Sequence, residues 1–533
     1  MSADGNRTDT NATVMDVGRT VSWPIGHGNH LRALTVETLD ALSGHDDPGK
    51  FGRMFPNLQP LAVPDHPLAE LSKAMVDDKD QPASGDNHDI PAGFTYFGQF
   101  VDHDITLDTT PLAEQIADPT ATENFRTPAL DLDSLYGDGP GQSPQLYARQ
   151  TRAPYGPDNR FLIGRTSPSP VQGVPDSMPN DLPRNRVGRA LIGDERNDEN
   201  LAVAQTHLAF LKFHNAVIDW LSANQPMLTG ADQFEEARRI VTWHYQWIVL
   251  FDWVERLTEP GMVRKILHNG RRFYRFKSKP YMPAEFSAAA YRIGHSMVRE
   301  AYDFNRVFRE GGLTPATLGL LFGFTGKSGA IVGDLVDDPR LEPTPGIPGG
   351  KLRQLPGNWI IDWRRFFELD DALKPNASRL LDGLLAPALQ SLPGEVDLDA
   401  ILAFRNLRRG VQLGLPSGQD VARHMGIEPI DSNELAKGPD GAVAKMYGLH
   451  EATPLWYYIL KESEVVHGGR RLGSVGATIL AETFLGLVHG DHRSFLWQRS
   501  NWRPELPSAT PGHFTMADLL SFVDDINPIG EEE

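Results

Sequence analysis

The 533-residue chain contains no cysteine. That absence excludes disulfides, zinc–thiolate centres, thiolate ligation of iron and cysteine nucleophiles. Positive charge is also scarce, with 51 Lys and Arg against 70 Asp and Glu and a formal net charge of −19. Nucleic acid and anionic membrane surfaces both require clustered Lys and Arg, so neither is an expected partner. No window approaches the roughly 18 apolar residues of a membrane span, and Met1 to Thr20 is polar with no apolar run. The expectation is a soluble protein without a secretory signal, either cytoplasmic or exported by a leaderless route, that acts on small molecules.

What is present reads as helix and loop. The length suits roughly two to four ordinary domains or one large helical one. Residues 1–60 are rich in Gly, Asp and Pro with little periodicity and read as an arm, extended or partly disordered. Residues 61–500 form the expected body, and 501–533 a C-terminal extension packed on it or trailing from it. Apolar spacing predicts helices over Ala92–Leu107, from Asn197 as N-cap through Leu201, Ala204, Leu208, Leu211, Val217 and Leu221, and over Glu235–Leu257 and Pro283–Tyr302. Further helices are expected at Leu380–Leu389, Val396–Arg405, Gly418–Met425 and Leu472–Val488. Pro, Gly and Ser crowd the segment up to about Ala190, which should be irregular. There is no internal repeat and no series of alternating strands. The expected class is mainly α, a single large helical domain with long irregular loops and little β.

The most chemically loaded stretch is Tyr96-Phe97-Gly98-Gln99-Phe100-Val101-Asp102-His103-Asp104. On a helix, Gln99 and His103 share one face, and carboxylates flank the histidine. Such a histidine can be held in one tautomer, have its pKa raised, or join a metal site; a solvated acidic turn is the plain alternative. Four other stretches are weak singly. Arg196 and Glu199 lie three apart at a helix start. Tyr291-Arg292-Ile293-Gly294-His295 puts a histidine beside an arginine and a glycine that would let a flat ligand approach. Between Thr127 and Gly137, oxygen-bearing residues recur as a hard cation such as calcium would want. Arg405-Asn406-Leu407-Arg408-Arg409-Gly410 offers an amide and guanidinium groups before a turn.

Together, in order and spacing, these stretches resemble the animal-type haem peroxidases, the superfamily of myeloperoxidase, lactoperoxidase and, more distantly, the cyclooxygenases. The similarity runs from about residue 85 to about 495, with Gly98-Gln99-x-x-Asp102-His103-Asp104 its most specific piece. The resemblance implies a haem b-derived cofactor. It makes His103 the distal histidine, Gln99 its neighbour, Arg196 the distal arginine and His295 the proximal ligand to iron. Asn406 would accept from the far nitrogen of His295, and Arg292 and Arg409 would pair with haem propionates. Asp102 and Glu199 fall where the family forms ester bonds to the haem. Asp104, Thr127, Ala129 through its carbonyl, Asp131 and Asp133 match a calcium site. Asn200 stands where myeloperoxidase has the methionine of its sulfonium link, so that bond is not expected. Val411-Gln412-Leu413-Gly414 replaces the Arg-Asp-His-Gly run common after the asparagine, which looks like a bacterial-type branch.

The implied activity is oxidation by hydrogen peroxide through a ferryl intermediate. Halides or pseudohalides would become hypohalous acids, or small phenolic donors would become radicals. Cleaving the O–O bond calls for a base that takes and returns a proton, and neutral imidazole suits this near neutral pH. A fixed cation such as Arg196 would stabilise the leaving oxygen. One alternative is a haem-dependent fatty-acid dioxygenase of the same fold, against which Arg292 occupies the place of the radical tyrosine and Tyr291 is one position off. The other is a haem-free interaction protein.

Overall fold

The computed structural model describes residues 51–78, 82–107, 124, 126–149, 157–169, 171–185, 188–277, 279–323, 325, 354–392 and 395–531, with two short strands at 20–21 and 34–35. Apart from those two strands, residues 1–50 of the expected N-terminal arm lie outside the described residues, as does most of a Gly- and Pro-rich stretch at 326–357.

The fold is mainly α. Its longer helices are α1 (Asp65–Ala74), α2 (Gly93–Ile105), α3 (Leu201–Asn224), α4 (Gly230–Ile248), α5 (Met262–Asn269), α6 (Leu402–Gln412), α7 (Gly418–Met425), α8 (Gly438–Met446), α9 (Leu455–His467), α10 (Ser474–Gly490) and α11 (Met516–Val523). Strands among the described residues occur only as five two-stranded pairs, such as Asp86–Pro91 with Ala377–Arg379. No helix among the described residues is long and apolar enough to cross a membrane.

Helix α2 sits at the centre because both its faces are buried. Phe100 stacks on Phe210 of α3 with ring centroids 4.7 Å apart, and Phe97 meets Phe210, Tyr245 and Trp253. Gly98 is required by the closeness of Trp253, since a Cβ there would lie 2.7 Å from the indole. Helix α4 runs into a π-helical turn, Val249–Trp253, which brings Trp253 to this contact.

Several sequence expectations are corrected. The N-cap of α3 is Asn200, whose side chain accepts from Val203 N at 2.9 Å; Asn197 lies in a preceding 3-10 turn, Glu195–Asp198, capped by Asp194. Pro283–Tyr302 is not one helix. It breaks into a π-turn at Phe286–Ala290, a 3-10 turn at Arg292–His295 and a strand at Ala301–Tyr302, although Phe286, Ala290, Ile293 and Met297 are buried as the spacing implied. Leu380–Leu389 is likewise irregular, with a short 3-10 turn starting at Pro387, because proline cannot sit inside a regular helix. Val396–Arg405 divides into a 3-10 turn and the start of α6.

Residues 501–531 pack on α3 and α4. Phe514 stacks on Phe213, and Lys212 pairs with Asp525. Buried His244 fastens this segment: Nδ1 donates to Ile240 O (2.7 Å), and Nε2 accepts from the backbone N–H groups of Glu505 (3.3 Å) and Leu506 (3.4 Å). Only neutral imidazole can do both. Burial pushes the pKa of His244 down to about 3. Its contribution is therefore complete above the unfolded pKa near 6.5 and lost progressively as pH falls towards 3, by up to about 1.4 kcal/mol per pH unit. Hydrogen exchange at the Glu505 and Leu506 amides, corrected for intrinsic rates, should accelerate between pH 7 and pH 5. Unchanged protection would count against this fastening.

Candidate active site

Two segments far apart in sequence meet here. Tyr291 donates its hydroxyl to Gly98 O at 2.9 Å, and Thr95 Oγ1 donates to Met297 O at 3.4 Å. These bonds tie α2, which carries Gln99, Asp102 and His103, to the turn that carries Arg292 and His295.

On the α2 side, His103 is 4% exposed and its Nδ1 lies 2.8 Å from Asn197 Oδ1. An amide oxygen only accepts, so Nδ1 carries the proton and Nε2 keeps a lone pair. That nitrogen lies 3.7 Å from Glu199 Oε1. Burial, then the Arg196 charge, lowers the pKa of His103; Glu199, Asp194 and Asp102 oppose this. Gln99 Nε2 donates to Glu199 Oε1 (2.5 Å), and Gln99 Oε1 accepts from Asn200 Nδ2 (2.8 Å). Asn200 thus both caps α3 and orients Gln99. Asp102 is half-buried and accepts from Thr106 Oγ1 at 2.9 Å.

Arg196 is built into the end of α2. Its Nη2 donates to the carbonyls of His103 (3.0 Å) and Thr106 (2.7 Å) and to Asp194 (2.8 Å), while Nε also donates to Asp194, leaving Nη1 outside this set of bonds. Although burial pushes its pKa up, Arg196 and Arg126 hold the Asp194 carboxyl well below the usual range.

On the other side, the Asn406 amide nitrogen lies 2.8 Å from His295 Nδ1, and its Oδ1 accepts from Arg292 Nη1 at 2.8 Å. Sequence reasoning assigned Asn406 the opposite sense, with its oxygen accepting from His295. That sense needs the amide turned by half a revolution and Arg292 released from Oδ1. Burial, then the charges of Arg292 and Arg405, push the pKa of His295 down to about 3, so its imidazole is neutral. Arg409 lies one turn beyond Asn406 on α6 and is buried. A side chain added at Gly294 would meet nothing within 4 Å, so the turn beside His295 borders open space. A neutral imidazole, neighbouring guanidinium groups and an open slot fit a flat, anionic, iron-bearing ligand.

A second cluster lies at the far end of α2. Asp104, Asp131 and Asp133 are buried, with oxygens within 4.8 Å of one another, and Asp133 Oδ2 has no hydrogen-bond partner. Burial, then the charge of Asp131, raises Asp104 to about 7. Leu132 holds a left-handed backbone (φ 56°) between the two loop carboxylates, and its N–H donates to Asp104 Oδ2 at 3.2 Å. Such a conformation costs a non-glycine residue energy and persists only where its surroundings enforce it. Thr127 and Ala129 are buried in the same loop, the N–H of Ala129 donating to Thr127 O. Crowded buried carboxylates with a spare oxygen suit a hard divalent cation.

Sequence reasoning missed Arg126 and the pair Asn197 and His207. Arg126 is 1% exposed, donates to Asp133 Oδ1 (3.0 Å) and forks onto Asp194, and so connects the carboxylate cluster to the residue that orients Arg196. A lone arginine next to the acidic loop was the only signal.

Comparison with known proteins bears on this geometry. Residues 113–316, which hold Arg196, Glu199, Arg292 and His295, match the family model for animal haem peroxidase. Over this stretch the chain is similar to the domain of that family. Thyroid peroxidase of Rattus norvegicus is 27% identical over 413 residues, which are 72% of this chain and 40% of that protein. The chain therefore spans well under half the length of curated relatives such as this one. Among solved structures, peroxidase A from Dictyostelium discoideum superposes with a TM-score of 0.59 at 16% identity, covering 97% of this chain and 99% of that one. Fatty acid alpha-dioxygenase of Oryza sativa gives a TM-score of 0.56 at 14% identity, covering 96% and 86%. At these identities the structural likeness shows the mainly α fold shared by both enzyme types.

Proposed function

We propose that this chain is a haem-dependent peroxidase. It would use hydrogen peroxide to oxidise halides or pseudohalides to hypohalous acids, or small aromatic donors to radicals. The observation that carries this reading is the state of His103, a buried neutral imidazole whose Nε2 lies 3.7 Å from Glu199 Oε1, beside a fixed arginine. Haem, when bound, supplies the redox centre at which peroxide is cleaved. With the Asn406 amide turned so that Oδ1 accepts from His295 Nδ1–H, His295 would hold the iron through Nε2, and Arg292, released from that oxygen, would join Arg409 in pairing with the propionates. His103 Nε2 takes a proton from the nearer peroxide oxygen and returns it to the leaving one. Arg196 stabilises the negative charge that develops there, a contact of about 3 kcal/mol in comparable sites. Asp102 and Glu199, both partly accessible, are the carboxylates proposed to form esters with the haem.

The haem-replete protein should show a Soret band and oxidise iodide, bromide, thiocyanate or a phenol only when peroxide is added. Acidified organic solvent should leave the haem on the wild type and extract it from an Asp102→Asn/Glu199→Gln double variant. Absence of peroxide-dependent oxidation would sink the activity, and extraction from the wild type would sink the esters. The dioxygenase alternative predicts oxygen uptake with an unsaturated fatty acid. Against it, Tyr291 spends its hydroxyl on Gly98 O, and Arg292 stands next to it.

Asp104, Asp131 and Asp133, with Thr127 and the carbonyl of Ala129, are proposed to bind calcium. An ion held at a hundred times its Kd contributes about 2.7 kcal/mol, so in a chain of this length a chelator should lower Tm by about 2–3 °C and added calcium should restore it. A Tm insensitive to chelation, with no metal in the purified protein, would refute the site.

A further inference from the structure

Behind His103 runs a short line of buried polar groups that the reaction as described does not use. The His103 imidazole abuts Asn197 Oδ1 at 2.8 Å, and Asn197 Nδ2 lies 3.0 Å from Nδ1 of His207 on α3. All three side chains are buried, with Asn197 and His207 at 0% exposure. The turn that carries Asn197 is held by its backbone N–H on Asp194 O (3.1 Å), and the edge of His207 meets Phe100 with centroids 5.8 Å apart. We propose that Asn197 and His207 form a positioning relay that fixes His103 as its Nδ1–H tautomer, keeping the Nε2 lone pair aimed into the site.

The chemistry of the three groups requires a definite sense. An amide has one end that accepts and one that donates. With the oxygen towards His103, the amide nitrogen must find a lone pair, and Nδ1 of neutral His207 supplies it. His207 then carries its own proton on Nε2, which has no hydrogen-bond partner. Reversing the amide would put a donor against His103, move its proton to Nε2 and destroy the base. A leucine at 197 accepts nothing. A carboxylate accepts at both ends and leaves the sense at His103 intact. Which imidazole nitrogen is protonated is set by the bond the other makes, and an unmade buried hydrogen bond biases such a choice by roughly ten- to a hundredfold. Asn197 and His207 are positioning residues that act through His103. The consequence for catalysis rests on the peroxidase reading; the tautomer does not.

The test begins with the full wild-type chain labelled with ring-15N histidine, its His103 signals assigned by their loss in His103→Gln. One-bond N–H couplings should place the proton of His103 on Nδ1 and that of His207 on Nε2. A wild-type His103 protonated on Nε2 overturns the proposal, with no variant needed. In Asn197→Leu the His103 proton should move to Nε2, and the haem-loaded variant should react with hydrogen peroxide ten- to a hundredfold more slowly. Reduction of the oxidised enzyme by iodide should be unchanged. Asn197→Asp should restore both the tautomer and most of the rate. An Asn197→Leu protein with the wild-type peroxide rate overturns the relay's role. A correct tautomer in a wild type inert to peroxide leaves the relay standing and removes the peroxidase reading. Peroxide reactivity with the wrong tautomer does the reverse.

Discussion

Replacing His103 by alanine is expected to slow the reaction with hydrogen peroxide by about a thousandfold or more, at unchanged haem content. The size of the effect follows from what else is present. The described residues around His103 include carboxylates at Asp102 and Glu199, but these are the proposed haem anchors, and an esterified carboxyl is a poor base. Gln99 and Arg196 cannot take a proton near neutral pH. No second base stands by. Burial and the Arg196 charge keep His103 neutral, so the wild type does not have to shed a proton first. Stopped-flow mixing with peroxide reads the rate directly, and added imidazole should restore part of it. A His103→Ala protein that reacts at the wild-type rate would remove His103 from the mechanism.

The second large effect is on stability. Arg126→Met should cost about 3–5 kcal/mol, the usual penalty for removing one partner from a buried ion pair. Arg126 is 1% exposed and serves two carboxylates, Asp133 and Asp194, both also buried. Methionine fills similar volume but leaves Asp133 with no arginine and Asp194 with Arg196 alone. Arg126→Lys should recover part of the loss, since one ammonium cannot fork between two carboxylates. Denaturant unfolding measures the difference. In the Arg126→Met/Asp133→Asn double variant the cost should be less than the sum of the single costs, because the groups share one network. A single-variant loss below about 1 kcal/mol would mean that solvent reaches this network.

The helix bearing Asp102, His103 and Asp104 was legible because a histidine flanked by two carboxylates closes an otherwise largely apolar segment. Arg196, Glu199, His295 and Asn406 could be associated with it only by likeness to a family, since the contacts that gather them span about a hundred residues or more of sequence. Helix α9 was missed for a different reason. Leu455 to Ser463 is buried on every side, so it shows no amphipathic period, and it even buries Lys461 and Glu462. The relay at Asn197 was hidden by its position at a helix start, where asparagine ordinarily caps. Pro283–Tyr302 misled in the opposite sense: its apolar spacing is real, but the backbone is wound first wider and then tighter than an α-helix around Gly294.

The π-turn at Val249–Trp253 can be understood as a correction of phase. Tyr245 donates its hydroxyl to Asp104 Oδ2 at 3.2 Å, and Gln246 donates to Leu130 O at 3.0 Å, while Trp253 packs on Gly98. On a regular helix, positions eight apart point roughly 80° away from each other, at 3.6 residues per turn. The wider turn removes most of that offset, so one continuous rod addresses both ends of α2 from the same side. Shortening it by one residue would leave the composition and core almost unaltered and still turn Trp253 away from the helix it indexes. The spacing between the Asp104 carboxylate cluster and Gly98 is thus gauged from outside α2 as well as along it.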